Sequence, residues 1–433
     1  MNSILMFIIL SLGLGLFASQ VHSPLFFKLR YIDYILSLLG AIGLIFLILK
    51  YRHRMKKNWI HQFILYTLVC LNVSIVIYTS FIKLRFYYQK QIVWKTGKET
   101  LQRYGRHIIL GYTDEKEIEM LIKNVGIRGV FLSPKNVRNK SRTELKQMIQ
   151  NWKTIYCRES GGEELIVTAD MEGGMVSRLS PPLRYYQTPG EVYTKEGIEG
   201  VKKYAGRKAR DLKDIGINMN LSPVVDLQKK PSNANVDLHT QIWKRAISKD
   251  PVLVEKVAGA YIEAMLKEGV FPVIKHFPGL ARIHKDTHFF TAEIKDALKV
   301  LGQTDWLPFW KLPKKYNTGI MLGFVKIQAL DKNLASPFSS KVISFLRQEA
   351  APSHILLSDD FSMGPAFYHE KNIGELGFLS LRAGLDLLLI SYDHRLYYPM
   401  IYTLLKKGQR GEASQFVESE NRLKKQFSGR QCN

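Results

Sequence analysis

Cysteine is scarce in this chain: three occur in 433 residues, at Cys70, Cys157 and Cys432. One lies in an apolar run and one beside the C-terminus, so no disulfide framework is expected and cysteine says little about redox compartment. Acidic residues are also few, with 38 Asp and Glu against 62 Lys and Arg, a formal net charge of +24. Such a balance suits nucleic acid, acidic glycans or an anionic membrane surface. The positive charge is spread along the chain, however, and no basic–aromatic ladder of the kind that grips single strands is present, so no nucleic-acid partner is expected. No H-E-x-x-H-type spacing joins the histidines, and no second histidine–carboxylate motif supplies further ligands, so no metal is expected. No other cofactor is expected either. Apolar residues, in contrast, make up 46% of the chain, enough to bury a substantial core and exclude global disorder.

Part of that apolar content is concentrated in three charge-free runs, Ile4 to Ala18, Tyr34 to Leu49 and Phe63 to Ile82. With their flanks each approaches the roughly 20 residues needed to cross a bilayer. Residues 1–87 are therefore expected to be a membrane anchor of about three transmembrane helices in contact with lipid, with 88–104 a juxtamembrane linker. A cleaved signal peptide is the alternative for the first run, because small residues near Ala18 offer a cleavage site. "KYRHRMKKN", Lys50 to Asn58, is the densest basic cluster near any run. The positive-inside rule makes it cytoplasmic, and the chain beyond the third run then emerges on the exocytoplasmic side of the cell membrane. Lys83, Arg85 and Lys90 oppose that orientation, while Tyr87, Tyr88 and Trp94 fit an interfacial belt.

From about residue 105 the texture changes. Short, β-branched-rich runs appear as "HIILGY", "GVFLS", "LIVTAD", "INMNLSPVVD", "FPVIKHF", "GIMLGFV", "HILLSDD" and "LDLLLIS". Helix-like stretches separate them. In "DPVLVEKVAGAYIEAMLKEGV", Val254, Val257, Tyr261 and Met265 recur at helical spacing, behind an N-cap at Lys249 or Asp250 and a first-turn Pro251. Eight strands alternating with helices over about 300 residues predict a (β/α)8 TIM-like barrel, here spanning 105–400 and preceded by the transmembrane helices. An open doubly wound sheet is the alternative, but "HIILGYTDEKE" lacks its glycine-rich phosphate turn. Residues 401–433 read as a basic, solvated C-terminal tail.

A barrel gathers functional side chains at the C-terminal ends of its strands. Those ends carry Asp170, Asp226, His276 and the pair Asp359/Asp360. Buried carboxylates are costly unless paired, so the set points to an active site. Beyond the fifth strand, "KHFPGLARIHKDTHFF" adds His284, Asp286 and His288. A carboxylate two residues from an imidazole can fix its tautomer and support its protonated form, giving a proton donor near neutral pH. Asp359, in "LLSDDFSM", is a candidate nucleophile for an anomeric carbon.

These motifs resemble, in order, those of glycoside hydrolase family 3 of the β-N-acetylglucosaminidase type, from about Tyr104 to Tyr392. "LIVTADMEGGMVSRL" resembles the D-Q-E-G-G-R-V-x-R segment and "GINMNLSPVVDL" the G-I-N-x-N-x-x-P-V-x-D-V strand. "KRAISKDP", "VIKHFPG", "LLSDDFSM" and "AGLDLLLI" are similar to D-R-x-F-x-x-D-P, x-x-K-H-F-P-G, S-D-D-L-S-M and A-G-x-D-x-x-L. The resemblance implies Asp359 as nucleophile, His288 as general acid/base and Asp286 as its support. It implies Asp170, Arg178, Arg245, Lys275 and His276 as the grip on the sugar hydroxyls, and Asp226 as a supporting acid. Two departures stand out. Where relatives have P-G-H-G-D-T this chain has "PGLARIHKDT", with Leu280, Ala281, Arg282 and Ile283 in the hinge, and Met175 stands for the arginine of E-G-G-R-V. Loss of glycine makes that hinge stiffer.

The function implied is a membrane-anchored, retaining exo-β-N-acetylglucosaminidase that hydrolyses terminal β-linked GlcNAc from peptidoglycan fragments (muropeptides) through a glycosyl-aspartate. The altered hinge keeps open a catalytically weakened glycan-binding envelope protein. A phosphorylase is a third possibility, because a histidine acid/base does not repel an anionic nucleophile.

Overall fold

The computed structural model describes residues 2–21, 23–26, 29, 32–54, 58–228, 240–412 and 416–427. The chain divides into two units, Met1–Trp94 and Lys95–Asn433.

The first unit is built from three helices, Asn2–Ser19, Asp33–Arg54 and Trp59–Lys95. Asp33–His53 and Trp59–Lys95 are long and apolar enough to cross a membrane, whereas Ser3–Ser19 is shorter. A helix of that length covers only about 25 Å, short of a hydrocarbon core of about 30 Å. Ile4 and Phe7 pack against Leu44, Ile48, Leu65 and Leu68. Asn72 Nδ2 joins the first and third helices by donating to Ser11 Oγ at 2.8 Å. Leu16, Phe46, Phe63 and Ile77 face outward, each more than 60% exposed. Of the expected linker 88–104, the first residues continue the third helix to Lys95, and Lys98–Gly105 forms a helix of its own. Residues 55–57 of the expected cytoplasmic loop lie outside the described residues.

In the second unit, eight parallel strands close a barrel, with helices between them. The strands are β1 (Ile108–Leu110), β2 (Gly129–Phe131), β3 (Ile166–Ala169), β4 (Met219–Asn220), β5 (Phe271–Phe277), β6 (Gly319–Leu322), β7 (Leu356–Asp360) and β8 (Leu387–Ile390). Each pairs with its sequence neighbours, and β1 closes on β8 with Ile109 opposite Leu389. Strands covered on both faces read as continuous apolar runs, which is why all eight were visible as such. Ile109, Phe131, Met219, Val273, Met321, Leu357 and Leu389 belong to the barrel core. The helix Pro251–Lys267 starts as its sequence dictates. The Asp250 carboxylate accepts from Val252 N at 3.0 Å, Pro251 opens the first turn, and Val254, Val257, Tyr261 and Met265 are buried.

Three expectations need correction. The run 217–226 is not one strand: β4 stops at Asn220 and only Val224 returns to bridge Lys275. Pro223 has no N–H to give a ladder. The stretch 401–433 is not a solvated tail over its described part. Val417–Phe427 is a helix whose Leu423 and Phe427 join the barrel core, with the Phe427 ring 5.6 Å from that of Phe271. Finally, Cys157 is disulfide-bonded while Cys70 is free. Spacing along a sequence does not reveal which thiols approach in space; Cys432 lies outside the described residues.

Candidate active site

The residues singled out as strand ends lie at the same mouth of the barrel, with Asp226 carried on the segment after β4 rather than by the strand itself. Asp170 follows the last residue of β3, Lys275 and His276 lie in β5, and Asp359 and Asp360 end β7. Directly after Asp170 the chain makes a small hairpin, Met171–Gly173 paired with Val176–Ser177. Its turn uses Gly173 at φ +105° and Gly174 at φ +58°, and a Cβ on Gly173 would lie 1.9 Å from Gln187 O. Only glycine fits there. The hairpin places Glu172 inward and brings Arg178 back so that its N–H meets Asp170 O at 3.1 Å.

Glu172 is the centre of a charge-balanced cluster. Its two oxygens take the Arg245 guanidinium in a fork, Nε at 2.8 Å and Nη2 at 2.7 Å, and Lys275 Nζ sits 2.7 Å from Oε1. Lys275 also reaches Asp170 Oδ1 at 2.6 Å. Burial acts to raise the Glu172 carboxyl, but the Arg245 and Lys275 charges overcome it and hold it well below the usual carboxylate range. Burial likewise opposes the charge on Lys275, and Asp170 and Glu172 outweigh it, raising its ammonium. Two anions and two cations therefore share one buried site, with donors left for a polyhydroxy ligand.

His276 extends the cluster. Its Nδ1 lies 2.6 Å from Asp226 Oδ2 and its Nε2 3.2 Å from Arg245 Nη2. Asp226 is fully engaged: Oδ2 also accepts His276 N at 3.0 Å and Oδ1 accepts Leu280 N at 2.8 Å. It orients both the imidazole and the start of the following loop.

That loop carries the acid–base pair. Asp286 Oδ1 lies 2.9 Å from His288 Nδ1 and accepts His288 N at 2.9 Å, with Asp286 buried and the His288 side chain 38% exposed. His288 O accepts Gly364 N at 2.8 Å, which fastens the loop to the turn beyond β7, the strand that carries Asp359. The departing hinge is packed rather than open. Leu280 and Ile283 are buried, and Arg282 binds Asp305 Oδ2 at 2.6 Å, Asp296 Oδ1 at 2.8 Å and Thr304 Oγ1 at 2.9 Å.

Asp359 and Asp360 have opposite surroundings. Asp360 is buried, and burial raises its carboxyl, partly offset by bonds from Ser391 and Ser362. It accepts Ser391 Oγ at 2.6 Å, Ser391 N at 2.9 Å and Ser362 N at 2.9 Å. Asp359 accepts only Asp360 N, at 2.8 Å on Oδ1, among the described residues. Its second oxygen is the one carboxylate edge of the pair available to an incoming atom.

The structure thus bonds Asp170, Asp226, Arg245, Lys275 and His276 into one network and joins His288 to Asp286. Arg178 shares only its backbone with that network, and its Nε has no partner among the described residues. No group of three or more potential metal ligands occurs among the described residues. Sequence reasoning missed Glu172, although the "EGG" of the quoted motif displays it. It also missed Lys208, a buried lysine under the hairpin that donates to Met171 O at 3.1 Å and Glu172 O at 2.9 Å amid three tyrosine rings. A lone lysine within a helix gives no sequence signal of burial.

Residues 92–425 match the family described as Glycosyl hydrolase family 3 N terminal domain. Among curated proteins, the chain is 26% identical over 294 residues to Beta-hexosaminidase LpqI of Mycobacterium tuberculosis, covering 65% of this chain and 70% of that protein. It is 30% identical over 240 residues to Beta-hexosaminidase of Hydrogenovibrio crunogenus, covering 53% and 64%. Among solved structures, a glycoside hydrolase family 3 beta-N-acetylglucosaminidase from Paenibacillus sp. str. FPU-7 superposes with TM-score 0.68 at 22% identity, over 74% of this chain and 61% of that one. M. tuberculosis LpqI does so with TM-score 0.68 at 23% identity, over 76% and 94%. At these identities the two structures establish the shared barrel.

Proposed function

The chain belongs to glycosyl hydrolase family 3, and we propose that within it this glycoside hydrolase is a retaining exo-β-N-acetylglucosaminidase. The observation that carries the reading is the pairing of a carboxylate with a free oxygen, Asp359, with an imidazole held by a buried carboxylate, His288 on Asp286, on a loop bonded to the turn after Asp359's strand. In the first displacement Asp359 attacks C1 of a terminal β-linked GlcNAc. The bond to the glycosidic oxygen breaks as His288 Nε2 gives that oxygen a proton. In the second, water loses a proton to His288 and attacks C1, releasing the sugar with net retention. Asp170, Arg178, Arg245, Lys275 and His276 grip the hydroxyls, and Asp226 keeps His276 in orientation. The curated relatives named as beta-hexosaminidases support the substrate class.

Peptidoglycan fragments are the proposed glycan source, and the cell membrane the proposed location, with the barrel on the exocytoplasmic side. Apolar side chains covering the outward faces of Asp33–His53 and Trp59–Lys95 support a lipid environment. The disulfide at Cys157 supports an oxidising compartment. One observation favours a second reading, a glycan-binding protein with weakened catalysis: the three bonds of Arg282 that tie down the loop carrying His288.

The test is full-length protein in detergent with an aryl β-N-acetylglucosaminide. Release of the aryl group by the native protein, lost on the order of a thousandfold in Asp359→Asn, supports the hydrolase. His288→Ala loses less in kcat/KM on this substrate, since a good leaving group needs little protonation and kcat/KM does not include the later attack of water. A silent native protein that still binds N-acetylglucosamine moves the assignment to the binding protein.

A further inference from the structure

Thr240 belongs to none of the groups assigned so far, yet it touches three of them. It is buried, 3% exposed, just before the short helix Ile242–Arg245. Its hydroxyl donates to Asp286 Oδ1 at 3.0 Å and lies 3.3 Å from His288 Nδ1. Its carbonyl accepts Arg245 Nη1 at 3.0 Å. Arg245 in turn is locked in the fork with Glu172. One residue therefore joins the sugar-gripping cluster to the acid–base pair, across 46 and 48 positions of sequence to Asp286 and His288.

We infer that Thr240 is a positioning residue for proton transfer: its hydroxyl sets the Asp286 carboxylate and, through it, the His288 ring relative to the Arg245–Glu172 pair. The inference rests on the hydrolase reading. Two of the bonds that Asp286 Oδ1 accepts come from His288, which lies on the same loop. Those bonds hold the pair together internally. The Thr240 bond comes from a different segment and ties the pair to Arg245, beside the Gly364 N bond to His288 O that fastens the loop backbone. With its proton directed to Asp286, the Thr240 oxygen keeps a lone pair facing His288 Nδ1. The Nδ1 proton is then enclosed by two oxygens, and the ring's other nitrogen, Nε2, is the one that exchanges a proton with the glycosidic oxygen.

A misplaced proton donor matters in proportion to the leaving group's need for a proton. Two substrates distinguish this from general damage: an aryl β-N-acetylglucosaminide, whose leaving group departs unaided, and an alkyl β-N-acetylglucosaminide, whose leaving group does not. With full-length protein, Thr240→Val is expected to lower kcat/KM, which covers only the steps up to departure of the leaving group, about tenfold on the alkyl glycoside, with kcat/KM on the aryl substrate changed less than about twofold. Thr240→Ser, which restores the hydroxyl, recovers the native rate. Equal losses on both substrates, or no recovery with serine, would overturn the inference.

A measurement without turnover separates this from the fate of the hydrolase reading. In protein carrying 15N-histidine, the His288 ring signals are those absent from His288→Gln. The native Nδ1 proton is expected to be observable and slow to exchange with water, lost to exchange in Thr240→Val and regained in Thr240→Ser. An unchanged Nδ1 proton in Thr240→Val sinks the role of Thr240 whatever the rates. If the native protein cleaves neither substrate, the hydrolase reading fails, and the Nδ1 proton still decides whether Thr240 positions the pair.

Discussion

At the floor of the barrel, Asp386 engages both of its carboxylate oxygens with the protein. Oδ1 accepts Arg422 Nε at 2.8 Å, and Oδ2 accepts Arg347 Nη2 at 2.7 Å and Leu356 N at 2.8 Å. At the mouth, Asp359 has one bond and a free oxygen, and Arg178 has a buried Nε without a partner among the described residues. Both ends bury charge, at a cost only good pairing offsets. The floor converts that pairing into closure, with Leu423 and Phe427 inserted beside it. The mouth leaves its pairing incomplete where a ligand can complete it. An unpaired position does not by itself mark function, since Arg128 Nε and Nη2 at the floor also lack partners among the described residues; at the mouth it coincides with Asp359 and Arg178, on the side where a barrel gathers its site.

Paired substitutions test the contrast most directly. Glu172→Gln removes the carboxylate that Arg245 and Lys275 share, leaving Asp170 bonded to Lys275 and Asp226 as the larger remaining negative influence on Arg245, and is expected to lower kcat/KM on the order of a hundredfold or more. Asp386→Asn is expected to destabilise by about 3–5 kcal/mol while folded protein keeps its kcat/KM. Steady-state rates and thermal unfolding on the same preparations check both. A comparable loss of kcat/KM in Asp386→Asn would break the division between the two ends.

Phe427→Ala sharpens the floor side. Removing the ring that meets Phe271 opens a cavity and is expected to cost about 3 kcal/mol, read as a lowered unfolding midpoint with KM unchanged. Arg282→Ala sharpens the mouth side with a smaller effect. If its three bonds hold the His288 loop in a productive pose, kcat falls severalfold, about 3–10, with stability lowered by about 1 kcal/mol. A rise in kcat would mean that Arg282 restrains the loop, favouring the binding-protein reading.

The barrel was legible because each strand is an apolar burst between turn residues, a signal that survives without an alignment. The mouth was legible where the chemistry lies within a few residues, as with Asp286 and His288 or the "SDD" of β7. It was not legible where distant segments meet. Thr240 is an ordinary threonine until the fold brings Asp286 within 3.0 Å, and Arg282 is one of many cations until Asp305 lies opposite. The final helix failed for a different reason. Leu423 and Phe427 are four apart and share a face, but two apolar residues among charges give too narrow a stripe to separate from a solvated helix.

The floor also holds a group that no ligand can be meant for, His107. It is fully buried, with Nδ1 3.0 Å from Asp386 O and Nε2 without a partner among the described residues. Because the Asp386 carbonyl can only accept, Nδ1 carries the proton and a second proton would enter at the bare Nε2. Burial lowers the folded imidazole below its ordinary 6.5, against smaller raising contributions from Asp386 and Glu420. The unfolded chain then binds more protons as pH falls below 6.5, so this stability is present above that pH and is lost progressively beneath it. One proton limits the slope to about 1.4 kcal/mol per pH unit. His107→Asn, whose amide can replace the Nδ1–H but does not titrate, is expected to flatten the difference between unfolding midpoints measured from about pH 5 to about pH 8. Parallel midpoint curves for the two proteins would show that the floor, like the mouth, can accommodate an added charge, and the contrast between the two ends would lose its electrostatic half.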